Sequence, residues 1–511
     1  MLELAGIFGN GMVFQCDRIN TIWGTEDGSD EVCAVFENEE YKAEVKDGCF
    51  EIALPAHEAA TGLSIEIKGS ATILLTDVCF GDVFYLAGQS NMELPVSRTL
   101  DVSKEDVDAS DYPYIRQYRV TPQYCMREDK KASLPKNPWT KAIPGQIGEM
   151  SAAGFYCAKR IYDKKKIPLG LVLGAQGGST IESWMPASLL SEFGDYSSKL
   201  DPFMEEGALQ KYLQERDAEI SSWRGSLEQE DETALVNDIP EGAEDFTVPG
   251  MLHDIGKEHR GVVWFYKDFS LGKAPEGEAF LYCGDLIDAD RTYINGHLVG
   301  KTEYRYPPRK YTFSSAFLKE GKNRITVRLI VENGDGGFVA EHPYFLKTKE
   351  EQVDLEGDWK IFFGATNDVV MTHTTLGQEV PTGLYKASVL PLKDYSFRGI
   401  WWYQGESNSD DPSRYDEKFK AMIENWRSLY KQELPLICIE MCDYQDPITG
   451  EQPDGWAKIQ EMQRGAAQDV ERCDVVSAKD LFTPLELHPQ RKSELGARMA
   501  EAAMTLYFGE E

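Results

Sequence analysis

Residues 81–96 read GDVFYLAGQSNMELPV. The stretch 82–88, DVFYLAG, is a short and nearly continuous apolar run. A strand of that kind is buried on both faces, which is the situation inside a parallel sheet covered by helices. Two further runs have the same character, IPLGLVLGA at 167–175 and FRGIWWYQG at 397–405, and LPLICIEM follows at 434–441. Helical stretches separate them. One surrounds AAGFYCAKRIYDKK (152–165) and another YDEKFKAMIENWRSLYKQ (415–432). In the second, Phe419, Met422, Ile423 and Trp426 recur at spacings of three and four, the mark of one buried helix face. RKSELGARMAEAAMTLYF (491–508) reads as a closing amphipathic helix. Strands alternating with helices predict an α/β domain with a parallel sheet.

Outward from this pattern the composition changes. Up to residue 77 the chain reads as short strands. VCAVFENEEYKAEVKDGCFEIAL (32–54) alternates and breaks at Asp47-Gly48, a hairpin signal, and a small β-sandwich is expected. Residues 205–366 begin helical and then turn strand-rich, with VVWFYKDFSL (262–271), EAFLYCG (278–284), DRTYINGHLVG (290–300) and NRITVRLIV (323–331). Asn295-Gly296 is a strong two-residue turn. This segment reads as a β-sandwich inserted into the α/β domain, which divides the chain at 1–77, 78–204, 205–366 and 367–511.

The 511 residues carry a net charge of −33. That surplus repels phosphate backbones and anionic lipid heads, so neither a nucleic acid nor a membrane surface is the expected partner. There is no apolar run long enough to span a bilayer. The ten cysteines are scattered without a CxxC pair, and the seven histidines form no HxxxH or HExxH pattern. No metal and no organic cofactor is therefore expected. Reduced thiols and an N-terminus without a basic, apolar leader predict a cytoplasmic compartment, or a secreted or periplasmic one for a chain whose leader was removed. The sequence carries no signal for oligomeric state.

Ligands of parallel sheets bind beyond the carboxyl ends of the strands. Those ends are followed by Gly88-Gln89-Ser90-Asn91-Met92, by Gln176-Gly177-Gly178-Ser179-Thr180 and by Gln404-Gly405-Glu406-Ser407-Asn408, and His488-Pro489 precedes the last helix. Each taken alone is ordinary: a serine after a strand caps a helix, a glycine pair makes a turn, a histidine or glutamate sits in a loop. Together they are the parts of acyl transfer. A serine nucleophile needs a base, the base is a histidine, and the tetrahedral oxyanion needs backbone N–H groups or an amide.

These four blocks resemble the SGNH (GDSL-like) esterases, specifically the sialate O-acetylesterase branch. GDVFYLAGQSNMELPV is similar to the first block of that branch, GLVLGAQGGSTIESWMP to the second, RGIWWYQGESNSDD to the third and HPQRKSELGARMA to the last. The resemblance implies a three-layer SGNH-type catalytic domain with an N-terminal β-sandwich and an inserted jelly-roll β domain, the latter similar to accessory domains of some glycosidases. It implies Ser90 as nucleophile and His488 as base. The oxyanion donors would be the Ser90 N–H, Gly178 (with Gly177 in reserve) and Gln404, with Asn408 the alternative amide. Gly177, Glu182, Trp184 and Glu406 would line the substrate site. Trp184, Trp401 and Trp402 are the candidate sugar platforms, and core packing is the simpler expectation for the last two.

Two positions depart from the pattern. Gln176 stands where the second block usually has tryptophan, and Leu485 stands three residues before His488, where the superfamily has aspartate. The carboxylate orienting His488 is then Asp480, which is slightly favoured, or Glu486; a backbone carbonyl would leave a dyad. The implied activity is hydrolysis of an O-acetyl ester on a sugar, most naturally a sialic acid. An acetyl esterase of plant polysaccharide such as xylan is the alternative, and the acidic charge is a mild argument for such a neutral substrate. A catalytically inactive carbohydrate-binding protein is the reading from another class.

Overall fold

The computed structural model describes residues 1–126, 134–228, 232–305, 307–446 and 449–510. The chain folds into two compact units. One comprises 1–211, 375–444 and 452–511, the other 212–374 and 445–451.

The first unit is built on an α/β sheet. Its central strands are β1 (Thr72–Gly88), β2 (Tyr112–Arg119), β3 (Leu169–Leu173), β4 (Gly399–Tyr403), β5 (Leu436–Glu440) and β6 (Cys473–Ser477). They lie in the order β2-β3-β1-β4-β5-β6, with Trp139–Ala142 on the outer edge of β2. All the neighbouring pairs in this path are parallel, except that Trp139–Ala142 runs antiparallel to β2. The chain goes from β1 to one side of the sheet, returns, and crosses to the other side at β4. The strand order thus reverses at the carboxyl end of β1, where open α/β sheets bind ligands.

Alternate residues of β1 enter different cores. Val83, Tyr85 and Ala87 pack with Phe419, Met422, Ile423 and Trp426 of α2 (Tyr415–Tyr430). Phe84 and Leu86 pack with Phe155 and Ile161 of α1 (Ala152–Lys165) and with Leu495, Met499 and Ala503 of α4 (Lys492–Phe508). Burial on both faces explains why the sequence of this strand does not alternate. A further helix, α3 (Trp456–Asp469), lies between β5 and β6 in the chain. β1 is a single strand of 17 residues that runs through position 77, and its first part joins strands of the N-terminal segment. It pairs with Ala60–Lys68 and, in parallel, with Val13–Gln15.

The second unit holds two antiparallel sheets. A six-stranded sheet contains Gly261–Leu271, Gly321–Val331, Ala289–Ile294 and His297–Thr302. A five-stranded sheet contains Glu278–Ile287 and Gly337–Lys347. Phe265, Val327 and Leu329 of the first sheet share one core with Leu281, Phe338 and Leu346 of the second. The Asn295-Gly296 turn links Ile294 to His297 with both turn residues at positive φ, 48° and 85°. Among the described residues, no helix is long and apolar enough to cross a membrane.

Candidate active site

The first and third blocks meet because β1 and β4 are neighbours and Gly88 pairs with Tyr403. Gly88 has φ +121°, and a Cβ there would lie 2.1 Å from the Tyr403 carbonyl oxygen, so only glycine fits. The close approach lets the Gln89 N–H donate to that carbonyl at 2.8 Å. Gln89 Oε1 in turn accepts from the N–H groups of Gly405 (3.2 Å) and Ser407 (3.3 Å). Ser90 opens the short helix Ser90–Glu93 and is half-buried. Among the described residues its hydroxyl makes no hydrogen bond.

The second block is held against Ser90 by Glu93. Its Oε2 accepts the Gly177 N–H at 2.6 Å, and its Oε1 pairs with Arg119. A Cβ on Gly177 would lie 3.4 Å from the Ser90 Cβ, so the loop passes directly over the serine. The bond to Glu93 removes Gly177 as the reserve oxyanion donor. Gly178 adopts φ +76°, and among the described residues no acceptor takes its N–H or that of Ser90.

Four expectations for the second and third blocks are corrected by where the side chains lie. Gln404 is fully buried, and its Nε2 donates to Ser179 O (3.0 Å) and Asn408 Oδ1 (2.7 Å). With Oε1 accepting from the Tyr415 hydroxyl at 2.9 Å, both amide hydrogens are committed and Gln404 is no oxyanion donor. Glu182 is a buried brace rather than a substrate contact. Its Oε1 meets Lys418 Nζ at 2.7 Å and its Oε2 accepts from Asn408 Nδ2 at 3.0 Å. Trp184 is completely buried, donates to Ser179 Oγ at 3.1 Å and packs edge-on to Trp402, so it is no sugar platform. Glu406 is buried as well, and its Oε1 accepts from Asn91 Nδ2 at 2.7 Å. Burial raises its pKa, which also speaks against a solvent-facing substrate contact. Trp401 and Trp402 lie wholly in the core. Asn408 keeps one amide hydrogen beyond the bond to Glu182, while its Oδ1 accepts from the Ile181 N–H at 2.9 Å.

The histidine arm reaches the same place through Asn91. Asn91 Nδ2 also donates to the Leu487 carbonyl at 3.0 Å, so the residue after Ser90 holds the residue before His488. His488 retains some exposed surface. Burial, with the positive charges of Arg98 and Lys492 nearby, pushes its pKa down from 6.5 to about 3. The ring is therefore neutral at pH 7, the form that accepts a serine proton. Lys492 is itself fully buried, donates to Asn91 Oδ1 at 2.7 Å, and has its pKa drawn down to about 8 by burial.

The favoured carboxylate is corrected. Asp480 is exposed, and both its oxygens are bound by Arg498 of α4, at 2.6 and 2.9 Å. That pairing holds its pKa at about 2 and occupies both of its oxygens. Glu486 is half-buried and close enough to Lys492 to raise the lysine's pKa.

Sequence reasoning passed over Gln89, Asn91, Glu93 and Lys492. The first three sit inside the quoted first block, but an acid in a first helical turn reads as a partner of the helix dipole. A lysine opening an amphipathic helix reads as solvated.

Part of the chain is similar to known carbohydrate esterases. Residues 381–505 match the family model described as "Carbohydrate esterase, sialic acid-specific acetylesterase". The sialate O-acetylesterase of Mus musculus is 33% identical over 128 residues, 24% of this chain and 24% of its own length. The Homo sapiens sialate O-acetylesterase is 29% identical over 132 residues, 25% of each. The chain thus spans about a quarter of the length of the curated relatives it matches. A solved carbohydrate acetylesterase from Xanthomonas citri resembles it over 100% of this chain and 76% of that one, with a TM-score of 0.60. At 19% identity that likeness is one of fold.

Proposed function

We propose that the protein is a serine esterase that removes O-acetyl groups from sugars, sialic acids foremost. In this reading residues 78–204 and 367–511 form a three-layer SGNH-type catalytic domain, with a β-sandwich at 1–77 and an inserted jelly-roll-like domain at 205–366. The observation that carries the reading is the Asn91 bridge, which ties the Ser90 arm to the His488 arm at the point where the strand order reverses.

Ser90 Oγ attacks the acetyl carbonyl while His488 takes its proton. The N–H groups of Ser90 and Gly178 and the amide of Asn408 receive the developing oxyanion. His488 returns the proton to the departing sugar oxygen, and a water repeats the sequence to release acetate. Glu486 is the carboxylate assigned to orient His488, since Asp480 is taken by Arg498. The cation Arg98, near enough to His488 to depress its pKa, supports an anionic sugar over a neutral polysaccharide.

The test is turnover of a chromogenic acetyl ester, then of O-acetylated sialic acid against acetylated xylo-oligosaccharides. Release of acetate from the sialic acid with the higher kcat/KM is expected. Preference for the xylo-oligosaccharide would move the substrate to plant polysaccharide, and no turnover of any ester would leave a binding protein. Glu486→Gln should lower kcat, and Asp480→Asn should not.

A further inference from the structure

In the unit formed by 212–374 the strand pair Glu278–Ile287 and Gly337–Lys347 is interrupted. Cys283 pairs with Tyr344 and Asp285 with Val339, so Gly284 alone faces the four residues Ala340, Glu341, His342 and Pro343. Gly284 has φ +51°, and a Cβ there would lie 2.3 Å from the Tyr344 ring. The Tyr344 hydroxyl closes the bulge by donating to Val339 O at 2.6 Å, and it lies 3.3 Å from Asp285 O. A bulge gives up ladder hydrogen bonds, and what it gains is the re-aiming of side chains. Here it turns Glu341 and His342 toward Asp285.

The ligand-type atoms of the three side chains lie within 4.8 Å of one another. His342 Nδ1 is 2.6 Å from Asp285 Oδ2 and 3.8 Å from Glu341 Oε1. Asp285 is only 7% exposed, and among the described residues its buried Oδ1 has no hydrogen-bond partner. A buried carboxylate oxygen without a donor is costly unless something positive meets it.

We propose that Asp285, Glu341 and His342 form a binding site for a divalent cation of the zinc type. One imidazole nitrogen and two carboxylate oxygens are a borderline donor set, suited to zinc rather than to calcium, which takes six to eight oxygens. Bonds of about 2.0–2.2 Å require Glu341 to draw in and the His342–Asp285 pair to open slightly. Nδ1 must bind through its lone pair, so the ring carries its hydrogen on Nε2, or loses a proton to solvent on binding. Three protein ligands leave a position for water. The site lies in a different unit from Ser90, and it clips the bulge rather than serving the esterase chemistry. Asp285 and His342 are 57 residues apart in the chain, which is why no spaced motif announces them.

The experiment is calorimetric titration of the chelator-treated full chain with Zn²⁺, with Ca²⁺ in a parallel titration. One Zn²⁺ per chain is expected, with a rise in Tm that Ca²⁺ does not reproduce. Glu341→Gln, at a partly exposed position, and His342→Gln should each weaken Zn²⁺ binding by tenfold or more. His253→Gln, which alters another histidine paired with an aspartate (Asp335), should leave it unchanged. The proposal fails if the wild-type chain shows no Zn²⁺-dependent rise in Tm, if Ca²⁺ binds as well, or if the Glu341 and His342 variants bind Zn²⁺ like wild type.

Discussion

In the proposed mechanism Ser90 and His488 take opposite halves of one proton transfer. The serine is half-buried and its hydroxyl makes no hydrogen bond among the described residues, so Ser90→Ala would remove the proposed nucleophile without orphaning a described partner. Turnover should fall by several orders of magnitude with Tm unchanged; acetate release and thermal unfolding check the two halves. His488 makes a pH prediction whose sign follows from its depressed pKa. The folded ring titrates near pH 3 and the unfolded one near 6.5. Between those values the unfolded chain binds more protons, so this contribution to stability is present above pH 6.5 and is lost as pH falls toward 3. His488→Gln should flatten that part of the stability–pH curve, measured by denaturant unfolding. The acid limb of kcat/KM in the wild type should lie below pH 6.5.

At the scale of elements, the site is a set of strand-end loops cross-braced by buried polar side chains. Glu93 ties the short helix Ser90–Glu93 to the Gly177-Gly178 loop. Glu93→Gln weakens that tie, and loss of loop position should lower kcat by up to about 10² while Tm moves little. Gln404 braces Ser179, Asn408 and Tyr415 from within the core. Gln404→Ala leaves those groups unpaired and should cost about 1–3 kcal/mol in unfolding free energy, with activity falling as a consequence. Asn408→Ala should cost kcat about 10²–10³. Comparing chemical denaturation with turnover for the two variants separates brace from donor. The borders of these elements were legible in the sequence because strands buried on both faces leave unmistakable apolar runs, and the loops after them hold Ser90, Gly178 and Asn408. The bracing was not. Asp480 reads as a loop acid beside a histidine, but Arg498 lies 18 residues on and α4 brings it alongside. Trp184 reads as a platform, and only packing against Trp402 and Trp426 shows it to be core. Glu182 and Lys418 are 236 residues apart, and nothing local marks them as partners. Long-range polar pairing has no period, so composition and spacing do not reveal it.

At the scale of the whole molecule, a net charge of −33 acts on any charged substrate before contact. An anionic sugar approaches against that field and a neutral one does not. The field reaches about 30 Å at 0.01 M ionic strength and about 8 Å at 0.15 M. Raising salt over that range should therefore raise kcat/KM for an O-acetylated sialic acid severalfold, through KM rather than kcat, because chemistry at Ser90 takes place within the site. The same salt series on a neutral acetylated xylo-oligosaccharide should be flat. The local cation works the other way. In the proposed reading Arg98, whose positive charge reaches His488, would attract the carboxylate of a bound sialic acid at short range, where salt screens poorly, so its effect should appear as tighter binding at every ionic strength. Arg98→Gln should raise KM for the anionic ester and leave the neutral one unchanged. Steady-state kinetics of both substrates in both proteins, at low and at physiological salt, separates the two fields. If KM for the anionic ester falls with salt in both proteins and is equal in the two, long-range repulsion stands and Arg98 has no part in substrate recognition. If the neutral ester shows the same salt dependence, the charge argument itself is wrong.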